Sequence, residues 1–200
     1  MKVAYVDYCN TLYNGFSLSD FQKYSESELG LPFKCISIIF RAVGKLLRSE
    51  ELKIFAFKFV DQRKVNKLIV SFSKKLNNNL ILSSRDILLG YKKNGFKIVV
   101  VSASISDLIG GSDFDGFFDV ILARRLCDFY KPLFYGKDKA EKIREWESQQ
   151  KDIITERVAF SDHISDLSML QLADKAYIIN PVDPKLRSIA IENNWVLIDD

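Results

Sequence analysis

Three short segments of this chain are almost wholly apolar. They are residues 2–6 (KVAYV), 97–101 (KIVVV) and 157–160 (RVAF). Strands that are buried on both faces of a parallel sheet carry such continuous apolar runs, whereas strands with one solvated face alternate apolar and polar residues. The three segments therefore predict the centre of a parallel β-sheet, and this prediction constrains the fold more than any other feature of the sequence.

Helical patterns separate these strands from one another. Further strands are predicted at 118–122, 175–179 and 195–198, and helices at 83–93, 104–109, 137–150, 165–173 and 184–193. Ser83 or Ser84 is the expected N-cap of the first of these helices. The alternation of strand and helix predicts an α/β fold, with helices on both faces of a Rossmann-like parallel sheet.

A long helical block interrupts this alternation after the first strand. Residues 17–80 carry apolar side chains at helical spacing and show no strand pattern. We therefore expect two parts in the molecule. Residues 1–14 and 82–200 are predicted to form the α/β core, and residues 15–81 an inserted, all-helical cap.

The charge of the chain is uneven, although its net value is only +3. Residues 13–90 carry 13 Lys and Arg against 7 Asp and Glu, whereas residues 91–200 carry 15 against 18. A basic cap could face a phosphorylated substrate, a membrane surface or nucleic acid, or it could be an ordinary solvated surface. The chain has no nucleic-acid recognition motif, so specific binding of nucleic acid is not expected.

The three cysteines and the single histidine form neither a disulfide framework nor a zinc-binding pattern, because the chain has no CxxC pair and no Cys/His ligand spacing. The N-terminal residues lack the long apolar run of a signal peptide. The chain also has no run of about 18 apolar residues. We therefore expect no membrane-spanning segment and a cytoplasmic location.

Polar side chains follow the predicted strands, at the edge where open parallel sheets bind ligands. Asp7 follows the first strand, Ser102 follows the second, and Asp162 and Asp166 lie just beyond the third, while Lys139 opens the helix before it. Carboxylates suit a hard divalent cation such as Mg²⁺. A hydroxyl and an ammonium can hold phosphate oxygens. The set therefore indicates phosphoryl transfer, which depends on charge neutralisation and positioning.

These residues occur in the order and at the spacing of four sequence motifs. The motifs are DYCNTL at residues 7–12, Ser102, Lys139, and SDHISD at residues 161–166. Together they resemble the haloacid dehalogenase superfamily, and the continuation LSML at residues 167–170 is similar to its phosphoserine-phosphatase-like branch. A helical cap between the first two motifs also suits that branch.

The resemblance implies a catalytic and a phosphate-binding set. Asp7 is the expected nucleophile, which attacks phosphorus to form a phosphoaspartate. Ser102 and Lys139 are expected to hold the phosphoryl oxygens of a small phosphorylated substrate. Lys137, two residues before Lys139, is the alternative for the lysine.

The resemblance also implies a Mg²⁺ site. Asp7, Asp162 and the backbone carbonyl of Cys9 are the expected ligands, and Asp166 is expected to orient the water shell of the metal. Because a dehalogenase of this superfamily works without metal, the Asp162 and Asp166 pair argues against that activity here.

Cys9 departs from the phosphatases of this family, which carry a second catalytic Asp at that position to protonate the leaving oxygen and deprotonate water. A thiol with a pKa of about 8.5 is mostly protonated at neutral pH. Because general acid–base catalysis typically contributes roughly 10²–10⁴-fold, we expect a slow phosphatase. The alternative is a weak or inactive relative that binds a phosphorylated ligand or a protein partner. His163, beside Asp162, could supply the missing proton transfer.

The predicted cap combines a strongly apolar run at residues 53–60 (KIFAFKFV) with many basic side chains. This mixture suits a packed helical cap with a solvated basic exterior, and it also suits weak contact with a membrane surface. The basic residues are Lys45, Arg48, Lys53, Lys58, Arg63, Lys64, Lys67, Lys74 and Lys75.

Overall fold

The computed structural model describes residues 1–47, 49–113, 116–129 and 131–199 of the chain. Arg48, one of the basic cap residues named above, lies outside the described residues, and so does the side chain of Lys53. No helix in the described part of the chain combines the length and the hydropathy needed to cross a bilayer.

The core is a six-stranded sheet in which neighbouring strands run parallel, so the predicted α/β fold class is confirmed. The strands are β1 (Lys2–Val6), β2 (Phe96–Ile105), β3 (Val120–Arg124), β4 (Glu156–Ser161), β5 (Lys175–Ile179) and β6 (Val196–Ile198). Their order across the sheet is β3-β2-β1-β4-β5-β6. The first strand in sequence is therefore central, between β2 and β4.

Helices fill both the predicted insertion and the connections between strands. The insertion holds α1 (Ser17–Leu29), α2 (Leu31–Leu47), a 3₁₀ segment (Glu50–Phe59), α3 (Gln62–Leu76) and a short 3₁₀ turn (Asn77–Asn79). The core holds α4 (Leu82–Lys93), α5 (Ser106–Gly111), α6 (Lys137–Ser148), a 3₁₀ turn (Ile164–Asp166), α7 (Leu167–Leu170) and α8 (Pro184–Glu192).

Both faces of β1 are covered, because its side chains alternate between two apolar clusters. Val3 and Tyr5 pack in a cluster with Ile143 of α6. Ala4 and Val6 belong to a larger cluster that also contains aromatic residues of the insertion. The central strand β1 is thus buried on both faces, as its unbroken apolar sequence predicts.

The insertion has an aromatic centre. The ring of Phe57, in the 3₁₀ segment, lies 5.0 Å from that of Phe21 in α1 and 5.1 Å from that of Phe33 in α2. The ring of Phe72 in α3 lies 5.5 Å from that of Phe21. Asp61 caps α3 by accepting hydrogen bonds from the backbone N–H groups of the first turn. Most aromatic residues of the insertion therefore serve its own packing.

Several boundaries differ from the sequence prediction. The strand β3 and the helix α5 begin two residues later than predicted, and α7 ends at Leu170 instead of residue 173. Two further differences have identifiable causes. β2 runs on to Ile105, so that Ser102 lies within it, at a point where the pairing with β3 shifts register. The predicted N-cap of α4, Ser83 or Ser84, is wrong, because this helix begins at Leu82 without a side-chain cap. Its start is set by Ile81, whose backbone N–H donates to the Leu12 carbonyl at 2.8 Å.

Candidate active site

The carboxyl ends of β1, β2 and β4 meet at one edge of the sheet. Val6 of β1 lies opposite Val100 of β2 and Phe160 of β4. The backbone N–H of Asp7 donates to the Phe160 carbonyl at 3.0 Å, so the β1–β4 pairing extends to Asp7. Asp7 therefore stands at a fixed backbone position above the centre of the sheet.

Lys139 joins two carboxylates beneath the surface. Its Nζ lies 2.7 Å from Asp7 Oδ1 and 2.7 Å from Asp166 Oδ2. The three residues are 3%, 7% and 1% exposed, in the order Lys139, Asp7 and Asp166. The Ser161 hydroxyl donates to the same Asp166 oxygen at 2.7 Å. The first, third and fourth sequence motifs thus meet in one hydrogen-bonded cluster.

Lys139 and Lys137, the alternative for the phosphate-binding lysine, differ in burial, although both lie in the first turn of α6. Lys139 is buried against the two carboxylates, whereas Lys137 is exposed. Two residues along a helix point roughly 200° apart around its axis, so only one of the pair can face the sheet. The structure places Lys139 there.

Asp162 adds a third carboxylate to this edge. Its Oδ1 accepts a hydrogen bond from the Thr11 hydroxyl at 3.2 Å, and it lines the same cavity as Asp7 and Lys139. The described residues of this cluster therefore place three carboxylates around one ammonium. If all are ionised, two negative charges are left without a counter-charge.

The electrostatics of the cluster follow from this excess. Burial raises the pKa of Asp7, and the charges of Asp166 and Asp162 raise it further, against the attraction of Lys139. Burial also raises the pKa of Asp162. Burial works against the charged ammonium of Lys139, but the attraction of Asp7 and Asp166 outweighs it and raises the pKa of that ammonium.

The excess negative charge fits a divalent cation. Within the described residues, no three His, Cys, Asp or Glu side chains are arranged so that they alone could hold a metal. Asp166 is already bonded to Lys139, Ser161 and, at 3.3 Å, the Ser165 hydroxyl. A cation would therefore rest on Asp7, Asp162 and non-side-chain oxygens, such as the Cys9 carbonyl.

Cys9 lies in a chain of small polar groups rather than in an acid–base pair. Its Sγ lies 3.4 Å from the Ser17 hydroxyl, which lies 2.6 Å from the Ser104 hydroxyl. The backbone N–H of Ser104 donates to the Ser102 hydroxyl at 3.1 Å. Burial raises the pKa of the Cys9 thiol to about 11, and the charge of Asp7 adds to the effect. The thiol is therefore protonated at neutral pH.

His163 stands at the edge of the site. Its ring Nδ1 accepts a hydrogen bond from the Ser165 backbone N–H at 3.1 Å and lies 2.9 Å from the Ser165 hydroxyl. Its own backbone N–H donates to the Ser161 hydroxyl at 3.2 Å. These local bonds hold Nδ1, so only Nε2 is left for a bound molecule.

These groups open into a cavity of about 520 Å³. Its floor holds Asp7, Ser102, Lys139, Asp162 and Asp166, all of which the sequence motifs predict. Its mouth adds apolar side chains that the motifs do not predict, namely Phe16, Leu18 and Tyr135. Phe16 and Leu18 lie at the junction of core and insertion.

Sequence reasoning missed several polar residues of the site, among them Thr11, Ser17 and Ser104. Thr11 belongs to the first motif, so its position was a usable signal, but its bond to Asp162 was not foreseen. Ser17 and Ser104 are buried and join Cys9 to β2. Nothing in the sequence singles out these two serines, because they are far apart along the chain and are common in helix starts and strand ends.

A sequence profile of the haloacid dehalogenase-like hydrolases matches residues 10–171 of the chain. The chain is also 30% identical, over 123 residues, to a probable phosphatase of Mycobacterium tuberculosis. That match covers 56% of this chain and 42% of the relative, so the chain spans well under half the length of the curated protein it matches.

Solved structures share the fold over nearly the whole chain. A Bordetella pertussis protein of unknown function superposes with a TM-score of 0.80 at 17% identity, covering 99% of this chain and 98% of that one. A phosphoserine phosphatase in its apo form superposes with a TM-score of 0.63 at 16% identity, covering 98% of each chain. At these identities the likeness establishes the fold alone.

Proposed function

This chain belongs to the haloacid dehalogenase-like hydrolase family, and on that premise we propose that it is a Mg²⁺-dependent phosphoric monoester hydrolase acting through Asp7. The observation that carries the proposal is the buried Asp7–Lys139–Asp166 cluster, which lies at the carboxyl ends of the central strands with Asp162 and Ser102 in the same cavity. The proposed substrate is a small phosphorylated metabolite.

Each residue of the floor has a proposed role. Lys139 bonds to Oδ1 of Asp7, which leaves Oδ2 to attack phosphorus and form a phosphoaspartate. The bond between phosphorus and the ester oxygen breaks in this step, and the leaving oxygen takes a proton to become the alcohol. Water then cleaves the phosphoaspartate, which releases phosphate and frees Asp7. The Ser102 hydroxyl and the Lys139 ammonium bind the phosphoryl oxygens and offset their charge. Asp166 holds Lys139 in place from the other side.

The residues present also support the proposed metal. Asp7, Asp162 and the Cys9 carbonyl would hold Mg²⁺, and Asp166 would orient its water ligands. A bound Mg²⁺ would neutralise charge on the transferring phosphoryl group. It would also supply the positive charge that the three carboxylates lack, and this would favour the ionised form of Asp7.

The protonated thiol of Cys9 is expected to limit the rate of phosphate ester hydrolysis. A thiol with a pKa of about 11 is protonated at neutral pH, so it cannot take a proton from water, and it is a weaker proton donor to the leaving oxygen than a carboxylic acid is. We therefore expect slow turnover. The loss of rate should be smallest for substrates whose leaving group departs without taking up a proton. His163 Nε2 is a second candidate for this proton transfer.

A different function has one specific observation in its favour. The same Cys9 that impairs proton transfer leaves the phosphate- and metal-binding groups intact, which suits a weak or inactive relative that binds a phosphorylated ligand or a protein partner.

We propose a cytoplasmic location for either function. In its support, Cys9, Cys35 and Cys127 are all free thiols, as is usual in a reducing compartment.

The test of the hydrolase is the Asp7→Asn variant. Purified protein is assayed with Mg²⁺ against p-nitrophenyl phosphate and a panel of phosphorylated metabolites, with EDTA as the metal-free control. We expect Asp7→Asn to reduce turnover to background, because the amide cannot attack phosphorus, while circular dichroism reports an intact fold. Wild-type turnover in this variant, or in EDTA, would exclude the proposed mechanism.

The Cys9→Asp variant separates the two functions. We expect it to raise turnover of alkyl phosphate esters by roughly 10²–10⁴-fold, because it restores a group of suitable pKa. Cys9→Ser, which restores no such group, is the matched control and should stay near wild type. If wild type already turns over as fast as Cys9→Asp, the weak-relative hypothesis fails.

A further inference from the structure

Helix α2 presents an apolar face that is exposed among the residues the structure describes. Only Phe33, Ser37 and Gly44 of this 17-residue helix are buried. Leu46 is 81% exposed and Ile39 is 60% exposed. The exposed large apolar side chains of this α2 face are Leu31, Ile38, Ile39, Val43, Leu46 and Leu47.

The contacts of α2 show why this face points outward. Ser37 bonds to the Glu26 carboxylate of α1 at 2.5 Å. The Phe40 ring lies 5.8 Å from that of Phe55 in the 3₁₀ segment. These neighbours occupy one side of the helix. At about 100° per residue, the α2 face lies on the other side and forms a continuous stripe along the helix.

A cationic edge runs along this stripe. Lys34, Arg41 and Lys45 recur at spacings of seven and four residues, which places them on one line of the helix. Arg41 pairs with Glu26 at 3.2 Å, whereas Lys34 and Lys45 are exposed. Residues 31–47 contain no Asp or Glu. The combination of an exposed apolar stripe and a basic edge is typical of helices that lie in a membrane interface.

We propose that the α2 face docks on an anionic membrane surface. The apolar stripe would enter the boundary between headgroups and acyl chains, and Lys34 and Lys45 would contact lipid phosphates. The proposal goes beyond hydrolase activity and does not depend on it.

A second copy of the chain fits this face less well. A helix of this length is about 25 Å long and 10 Å wide, so two such faces would bury roughly 500 Å² in total, far below the about 1,200 Å² of a stable interface. Two copies would also bring together basic edges of the same sign. An anionic bilayer complements both the apolar stripe and its charge.

The test is vesicle flotation of the 200-residue chain. We expect wild type to float with vesicles of phosphatidylcholine mixed with phosphatidylglycerol, and to float much less with pure phosphatidylcholine. Ile39→Glu should reduce binding about tenfold to a hundredfold, the range that follows from burying one apolar side chain. Lys34→Gln with Lys45→Gln should reduce binding to anionic vesicles about tenfold to thirtyfold.

Ile191→Glu is the matched control, because Ile191 is 67% exposed on α8 of the core and makes the same change of charge. It should bind like wild type, as should Asp7→Asn. Absence of wild-type flotation overturns the proposal, and so does equal binding by Ile39→Glu and wild type. A dimer in light scattering that Ile39→Glu dissociates, without vesicle binding, would instead assign the face to self-association.

Discussion

Lys139 keeps two carboxylates together at the floor of the cavity, where they would otherwise repel each other. Its Nζ lies 2.7 Å from an oxygen of each, and neither carboxylate has much access to water. Removing one member of a buried ionic group leaves its partners desolvated and without a counter-charge, and this costs more than a surface pair ever contributes.

We therefore predict that Lys139→Met lowers the free energy of unfolding of the metal-free protein by about 3–5 kcal/mol. Phosphatase activity should fall with it. Lys137→Met is the control, because Lys137 is exposed in the same turn of α6. Urea denaturation at neutral pH measures both. Equal losses in the two variants would contradict a structural role for the buried cluster.

The floor of the site is the part that sequence predicts best, because its residues belong to recognisable motifs. Asp7, Asp162 and Asp166 follow parallel strands, and α6 brings Lys139 to the same edge of the sheet. The bonding around Cys9 was not predictable in the same way. Its partner Ser17 comes from the insertion, and no local pattern encodes that contact.

At the scale of elements, a hydrogen-bonded cluster ties α6 to the sheet. The Tyr5 hydroxyl of β1 donates to Glu147 Oε1 at 2.5 Å, and Arg157 of β4 donates to the same carboxylate at 2.8 and 3.1 Å. Burial disfavours the charged carboxylate, but the bonds from Arg157 and Tyr5 outweigh it and lower the pKa of Glu147. Ionised Glu147 thus stabilises the folded state.

The lowered pKa of Glu147 makes the free energy of unfolding depend on pH. A lowered folded-state pKa adds stability that is present above the ordinary pKa of 4.5 and is lost as the pH falls through the lower, folded value. We predict that Glu147→Gln is less stable than wild type at pH 7 and that the gap narrows in acid below about pH 4.5. Urea midpoints across this range test it, and the exposed Glu145→Gln is the control. A gap that does not change with pH would refute the assignment.

A close contact between α5 and α3 joins the core to the insertion. A Cβ added at Gly111 would lie 2.5 Å from Ser73 Oγ and 2.7 Å from Ser73 Cβ, whereas one at Gly110 would meet only Ile121 Cδ1, at 3.6 Å. We predict that Gly111→Ala costs about 1–3 kcal/mol through overpacking and that Gly110→Ala does not show this loss. Thermal denaturation checks the pair. Because Ser73→Gly itself weakens α3, the double variant is compared with Ser73→Gly alone. A smaller loss from Gly111→Ala in that background would identify the contact as the cause.

The existence of these elements was predictable, but some of their ends were not. Apolar periodicity found each strand and the helical character of the insertion. The start of α4 depends instead on the hydrogen bond between Ile81 and Leu12, which joins residues distant in sequence. Residues 50–59 form a 3₁₀ segment, which apolar spacing cannot distinguish from α-helix.

At the scale of the whole molecule, the insertion and the core share one apolar cluster. This cluster contains Val6 and Phe160 of the sheet together with Phe21, Phe57 and Phe72 of the insertion. The division into a core (1–14 and 82–200) and a cap (15–81) therefore remains a proposal about the architecture. It does not imply that the two parts are independent in stability.

We predict a single unfolding transition for both parts. Trp146 and Trp195 lie in the core, so tryptophan fluorescence follows the core, while far-ultraviolet circular dichroism also follows the helices of the insertion. The two urea curves should coincide. Phe21→Ala should shift both curves together, because it lowers the free energy of unfolding by about 3–5 kcal/mol. Loss of ellipticity before any change in fluorescence would mean that the insertion unfolds alone.

The central position of β1 has a consequence for how the protein is made. Its two neighbours begin only at Phe96 and Glu156, so the strand that precedes Asp7 leaves the ribosome long before either partner does. The helices of the insertion depend on shorter-range contacts and can form in the interval, whereas pairings of high sequence separation form slowly. We expect the site around Asp7 to be among the last parts to fold. Until its partner strands are made, the apolar KVAYV segment is exposed, so we expect it to be the segment that most requires a chaperone.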